Sequence, residues 1–541
     1  VITYDFNKNL PADEIVWGKR GGPPQLKQAQ QSAWFAAFRS QLQEFSYEIA
    51  EIEDKLPDKL RGSTLFRNGP SRFERGEQRV QHYLDGDGYL YRIAFAENGR
   101  VYFDSKFVQT AEYIRENAAN RFLFRTTFGT QKPGGAWENF LDLYLKNPAN
   151  THIVPWGGKL LALYEAGLPY RIDPYSLATI GQESIDGSLV ERPLPASQWE
   201  TLQRLSRGQQ AITAHPHVDP IGDRLVIWRW GMKGQPGHPT LAIDIREHDR
   251  SWTQQSRITY TMPGAVVNPH DFALTQTYYV FFENRLEFDL LPFLLGMRSP
   301  AECLRLLSDR PTRVHLIPRP HGPQAGQPPL VLATGEWFSI HQALACDRPD
   351  GSVEVYSTGW PAAGLAGGFL TSWGGYAPDF DAIAPTFLWK TTIHPPTKIV
   401  AHQVVPGAEH CCTDHPHSNP NFETQAARYL YMTYSNAIGE SSPPVGYMKL
   451  DLTSGERQVW VADLHSFTEE PVFVPKSGAI HEDEGWLLGI VYDHQRGRSS
   501  LVVLDALNIA TGPICRLWFK HHLVHGLHGS WCQEYYGPRE I

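Results

Sequence analysis

The chain is poor in cysteine. Its 541 residues hold six, Cys303, Cys346, Cys411, Cys412, Cys515 and Cys532, with no CxxC spacing among them. That excludes a disulfide scaffold and reads as a set of reduced thiols, as in a cytoplasmic or plastid-stromal protein. Long apolar runs are missing too. Nothing approaches the ~18 residues of a membrane span, and the first residues, VITYDFNKNLPADE, lack the shape of a signal peptide. Like charges are not clustered. With a formal net charge of −9 and no block of lysine and arginine, the chain lacks the electrostatic footprint of a nucleic-acid binder. Helical patterns between strands are scarce, which disfavours a βαβ barrel or a Rossmann sheet. No crisp internal repeat is present either.

What the chain has instead is strands and aromatic rings. Tryptophan, tyrosine and phenylalanine make up 12% of it. Short runs such as RVYFD (100–104), RLVIWRWG (224–231), TYYVFFENRLEFDL (277–290) and SLVVLDALN (500–508) read as strands bounded by turn residues, several alternating apolar and polar. MKLDLTSGERQVWV (448–461) predicts a hairpin turning at Thr453–Glu456, and GWLLGIVYDHQRGRSSLVVLD (485–505) predicts another. A chain of hairpins this long must avoid open sheet edges, and an all-β propeller is the common solution at this size. About seven blades take roughly 70 residues each, against ~40–50 in compact repeats. The surplus is expected in long loops and short helices that cap one face. Residues 1–55 are expected to form an N-terminal extension and residues 56–541 the propeller.

Two segments carry helical spacing instead. In SAWFAAFRSQLQEF (32–45), Trp34, Phe35, Phe38, Leu42 and Phe45 share a stripe, and in WENFLDLYLKN (137–147), Trp137, Phe140, Leu141, Tyr144 and Leu145 do the same. Such stripes either dock against the body of the protein or rest on a membrane surface as amphipathic helices do. LLPFLLGM (290–297) is a third apolar surface of this kind.

Histidines recur at the ends of strands: His215 in TAHPHVDP, His270 in NPHDFALT, His341 in GEWFSIHQALACD, and His525 and His528 in HGLHGSW. Glycine after histidine lets the backbone turn sharply and brings the ring close to a neighbour. In a propeller the innermost strand of each blade faces the central axis, so rings far apart in sequence can meet there. The His215-Pro-His217 pair also suits a zinc hydrolase on an α/β barrel, but the helices such a barrel needs are absent.

In family order, FRNGP (66–70), YLDGDG (83–88), NPANTHIVPWGGKLLALYEAGLPYRIDPYSLATIG (147–181), AHPHVDP, PHDFALT, FSIHQA, EEPVFVP (469–475) and GLHGSW resemble the landmarks of the carotenoid cleavage oxygenases. The resemblance runs from about residue 55 almost to the end of the chain. It implies a seven-bladed propeller holding iron(II) on four histidines, which match His215, His270, His341 and His528. His217 and His525 are not carried over. The family orients such rings with three glutamates. Glu165 and Glu470 match two of them, and Asp414 stands where the family has the glutamate of Glu-Phe-Pro, without indicating which histidine it serves. Thr151 matches a threonine beside the metal.

The activity implied is cleavage of a carbon–carbon double bond by O2 into two carbonyl products. Stilbene cleavers of the family resemble one another in gripping the phenol oxygen with a lysine and a tyrosine. Here those positions are Tyr164 and Phe107, so an apolar polyene, a carotenoid or apocarotenoid, is the better match. A substrate of that kind dissolves in membranes, which favours the apolar segments as a docking patch. The other readings are a stilbene-cleaving oxygenase and a propeller that binds or isomerises apocarotenoids without cleaving them.

Overall fold

The structure is a computed structural model. It describes residues 24–538 apart from 186, 188, 190–193, 196, 198–199, 202–210, 236–237, 308, 362–379, 381–382, 410 and 436–440. The N-terminal segment assessed for a signal peptide lies outside the described residues.

Seven antiparallel sheets follow one another around an axis as the blades of a propeller. Blade one ends on Gly529–Cys532, the last strand of the chain, paired with Ser63–Arg72. The corresponding innermost strands are His152–Trp156 in blade two, Ala211–Ile212 and His217–Asp219 in blade three, and Ala273–Leu274 in blade four. Trp337–Asp347 serves blade five, Cys412–His417 blade six, and Ser466–Thr468 with Val472–Pro475 blade seven. The two predicted hairpins form, as Gly446–Asp451 with Arg457–Val461 in blade six and Gly485–Asp493 with Arg498–Asp505 in blade seven.

The ring closes twice. The last strand completes the inner edge of blade one. The outer edges of blades one and seven are completed from the other end of the chain, by Ser46–Glu48 against Val101–Phe107 and Glu51–Glu53 against Pro513–Trp518. The chain therefore enters the propeller by residue 46, ahead of the boundary expected at residue 55. These pairings cover sheet edges that would otherwise present unpaired backbone groups.

The core is distributed over the seams between blades. Val101–Phe107 alternates buried and half-buried side chains, as a strand with one covered face does. Gly485–Asp493 (GWLLGIVYD) is buried along its whole length because both faces of blade seven are covered. Phe103, Tyr91, Leu488 and Leu517 pack between blades one and seven, Trp228, Phe272 and Phe281 between three and four, and Tyr431, Tyr447 and Leu487 between six and seven. Gly489 permits the last of these approaches, since a Cβ there would collide with the Tyr447 ring.

The two helical segments differ from expectation. The first helix is Pro24–Ala36, earlier than 32–45. Beyond it the chain is captured in extended form: Phe73 N donates to Ser40 Oγ (2.9 Å), Ser71 Oγ to Gln41 O (3.0 Å) and Phe45 N to Ser105 Oγ (2.9 Å). Trp34 and Phe38 dock inward against Phe467 and Tyr83. In the second segment only Ala136–Asn139 is helical. Leu141 takes a left-handed φ of 52° and its N–H leaves the helix pattern for Leu294 O at 2.8 Å.

Candidate metal centre

The innermost strands of blades three and seven are broken and those of blades five and six shift register, and the four histidines stand at such breaks or just ahead of an inner strand. His215 lies between the two short inner strands of blade three, and His270 lies three residues before that of blade four. His341 sits on a register shift within Trp337–Asp347, and His528 immediately precedes Gly529–Cys532. One ligand nitrogen from each of these four rings lies within 4.8 Å of all the others. Ring centroids are 4.4 Å apart for His215–His270, 4.5 Å for His215–His528, 5.2 Å for His270–His341 and 5.2 Å for His341–His528.

Three rings are fixed from behind by carboxylates. His270 Nδ1 donates to Glu165 Oε2 at 2.6 Å, His341 Nδ1 to Asp414 Oδ1 at 2.7 Å, and His528 Nδ1 to Glu470 Oε1 at 2.7 Å. A ring whose Nδ1–H is held outward presents the Nε2 lone pair inward, which is the tautomer a metal needs. Among the described residues His215 has no such carboxylate, and its Nε2 is buried without a hydrogen-bond partner. Burial first, and then the neighbouring imidazoles, push His215 far below the ordinary histidine range and keep it neutral. Burial likewise holds His528 well down, against the pull of Glu470. At His341 burial acts downward, but Asp414 outweighs it and the net shift is upward. Four imidazoles converging on one point, three buried and His270 half-buried, with negative charge behind three of them, form a site for a divalent transition metal.

Glu470 is the most heavily engaged of the carboxylates. Besides His528 it accepts from His417 Nε2 (3.1 Å), Arg67 (3.1 Å) and Gly529 N (2.9 Å). Burial would raise its carboxyl; His528 and His417 hold it well below the usual range instead. The glycines of HGLHGSW allow this packing, since a Cβ on Gly526 would meet Glu469 and one on Gly529 would meet Arg67.

The structure brings all four sequence-predicted ligands together and pairs each predicted carboxylate with one of them. Asp414 serves His341, the question the sequence left open. Thr151 is buried just ahead of the inner strand of blade two, and its carbonyl accepts from His528 N at 3.2 Å. Tyr164 is buried, with its hydroxyl 2.5 Å from Thr127 Oγ1. Phe107 packs in the seam between blades one and seven, stacked on Tyr113 and edge-on to Tyr89.

Sequence reasoning missed several groups around the centre. His152 lies 5.4 Å from His528 between rings, held by Ala214 O at 2.9 Å, and His415 lies 5.0 Å from His341. His217, which the sequence set apart from the ligands, bridges Asp271 Oδ1 (3.0 Å) and Glu423 Oε1 (3.1 Å). These carboxylates outweigh burial and raise His217 to about 10, so it is a cationic clamp and not a ligand. The one signal for it in the sequence is that Asp271 directly follows a ligand in PHDF.

A family model described as retinal pigment epithelial membrane protein, RPE65, matches residues 38–533. The chain belongs to this carotenoid oxygenase family. Among its relatives is the apocarotenoid-15,15'-oxygenase of Synechocystis sp., 34% identical over 526 residues that span 94% of this chain and 99% of the relative. The chloroplastic carotenoid cleavage dioxygenase 7 of Oryza sativa is 27% identical, spanning 92% of this chain and 90% of its own. A crystal structure of cobalt-substituted Synechocystis ACO superposes with a TM-score of 0.81 at 34% identity, covering 93% of this chain and 98% of that one. The family thus spans the whole propeller described here, including every strand that carries a residue of the four-histidine centre.

Proposed function

We propose that the chain is a non-haem iron(II) dioxygenase that cleaves a carbon–carbon double bond of a carotenoid or apocarotenoid. The observation that carries this is the cluster of four imidazoles, one from each of four blades, in a member of the carotenoid oxygenase family. The donor set fits iron(II): imidazole nitrogens suit it, the buried Nε2 of His215 has no other partner among the described residues, and Glu165, Asp414 and Glu470 supply compensating charge. Iron(II) held by His215, His270, His341 and His528 supplies the dioxygen chemistry. In the balance, R–CH=CH–R′ and O2 give R–CHO and R′–CHO. Both oxygen atoms enter the products and no net proton is exchanged with the protein.

The chain's own residues therefore orient and enclose. The three Nδ1–H donors fix the rings, the Thr151 methyl crowds one approach to the centre, and Tyr164 contributes to the substrate path; Phe107, expected there from the sequence, is instead packed in the core against Tyr89 and Tyr113. Tyr164 replaces the lysine of stilbene cleavers and Phe107 offers no hydroxyl, which disfavours a phenolic stilbene. A substrate of this kind is drawn from a lipid surface. Trp137 (92% exposed), Leu291 and Met297 (64% each) stand out from two segments joined at Leu141–Leu294, and they suit insertion into one face of a bilayer. Among the described residues no helix is long and apolar enough to cross it. The six free cysteines accord with a reducing compartment, cytoplasm or plastid stroma.

Oxygen uptake on adding a long apocarotenal, with mass analysis of the products, tests the reading. One O2 consumed per pair of shorter aldehydes formed is the expected result; binding or isomerisation without uptake overturns it. His341→Ala is expected to lower iron content, and unchanged iron removes that residue from the ligand set.

A further inference from the structure

His217 stands two residues after a ligand and is not one, yet both of its ring nitrogens are engaged. Nε2 meets Asp271 Oδ1 at 3.0 Å and Nδ1 meets Glu423 Oε1 at 3.1 Å. With a carboxylate on each side, the ring donates from both nitrogens. Asp271 is 5% exposed and uses both of its oxygens. Oδ1 also accepts from Phe272 N (2.7 Å), and Oδ2 accepts from Gln342 N (2.6 Å).

These bonds run beside three of the four ligands. His217 follows His215 by two residues, Asp271 directly follows His270, and Gln342 directly follows His341. One buried carboxylate therefore joins the ligand-bearing chain of blades three, four and five. Glu423 lies in the connection between the first two strands of blade six. Blades three and six are not neighbours in the ring, so the contact of His217 with Glu423 crosses the hub. Gln276 of blade four makes a second crossing, its Nε2 donating to Thr424 Oγ1 at 2.5 Å.

The consequence is greatest for His215. His270, His341 and His528 lean on Glu165, Asp414 and Glu470, whereas among the described residues no carboxylate stands behind His215. Its position is set by the backbone instead. Its N–H donates to Thr213 Oγ1 (2.9 Å), and two residues further on the chain is anchored through the His217 ring. His528 is held independently, since Glu470 grips both its ring and the N–H of Gly529.

We propose that Asp271 is a positioning residue of the metal centre, which through His217 and the Gln342 N–H sets the spacing of His215, His270 and His341. It does for His215, by way of the backbone, what the other carboxylates do for their rings directly. This rests on the reading of the four histidines as an iron site. Groups that fix ligand geometry in this way act on metal affinity and on the ligand field together.

The test loads metal-free protein with Co(II) and follows affinity and the electron paramagnetic resonance spectrum. Asp271→Asn keeps the shape, but its single oxygen can serve only one of His217 and the Gln342 N–H, and its amide confronts the other. His217→Leu removes both ring donors. Each is expected to bind Co(II) about 10–100-fold more weakly and to shift the cobalt g values, because three ligands move relative to His528. His217→Gln keeps an amide donor for one carboxylate, is milder on folding, and is expected to fall in between. Lys449→Met breaks the buried Lys449–Asp483 pair (2.7 Å) in the third strand of blade six and is the control for stability alone. It is expected to lower the urea midpoint and keep the wild-type cobalt spectrum. Wild-type affinity and spectrum in the Asp271 and His217 variants overturn the proposal, as does an equal spectral change in Lys449→Met. In either case a wild type that binds Co(II) leaves the metal reading standing; a wild type that binds none removes that reading and the role of Asp271 with it.

Discussion

An aspartate reaches one methylene less far than a glutamate, and around Asp414 the backbone makes up the difference. The inner strand of blade six shifts register between Asp414 and His417, and Thr358 Oγ1 donates to the same Oδ1 (2.6 Å) that receives His341. Asp414→Asn keeps an oxygen that can accept from Nδ1–H and removes only the charge. It is expected to weaken iron binding about 10–100-fold with little change in thermal midpoint, measured by competition with a chelator; unchanged affinity would make Asp414 a spacer. The four ligands were legible because each stands in a short ordered motif beside a turn residue. His415, His152 and His525 were not. A histidine letter does not say which way its ring faces, and the bulge that turns His415 to the centre follows from pairing with Tyr429–Ser435.

Among the elements, tertiary capture overruled periodicity. The stripe at 32–45 has helical spacing, but the hydroxyls of Ser40, Ser71 and Ser105 engage the chain there in extended form, and only the part up to Ala36 stays helical. The stripe at 137–147 fails for a related reason. Arg125 is shared by two segments, donating to Asp142 O (2.5 Å), Phe293 O (3.2 Å) and Arg298 O (2.8 Å), so each folds as a short turn on the other. Gly296 packs against the backbone of Asn139 and Phe140, where a Cβ would not fit. The result is one apolar tip instead of two amphipathic helices. Trp137→Glu combined with Leu291→Glu is expected to abolish co-flotation with phosphatidylcholine vesicles while leaving turnover of detergent-dispersed apocarotenal unchanged. Flotation equal to wild type would remove the tip from the membrane reading.

Over the whole molecule, the propeller is stabilised seam by seam, and the seam between blades one and seven must hold the two ends of the chain together. Arg67 lies in that seam, fully buried. It donates to Glu469 (3.1 Å) and Glu470 (3.1 Å) of blade seven and to the carbonyl of Leu527 (3.0 Å), one residue before a ligand. Strand spacing conveyed the hairpins and the long surplus loops. It could not convey this staple, whose partners are some 400 positions away (|i−j| = 402 and 403). Arg67→Leu keeps apolar volume but leaves Glu469 without its cation and Glu470 with His417, His528 and Gly529 N. Removing one member of a buried ion pair costs about 3–5 kcal/mol, so a marked drop in the urea midpoint is expected, together with iron loss because Glu470 orients His528. The exposed pair Arg250–Asp223 (2.9 Å) supplies the contrast. Arg250→Ala is expected to cost no more than about 1 kcal/mol and to leave iron untouched. If both variants unfold at the same urea concentration, closure of the ring does not run through Arg67.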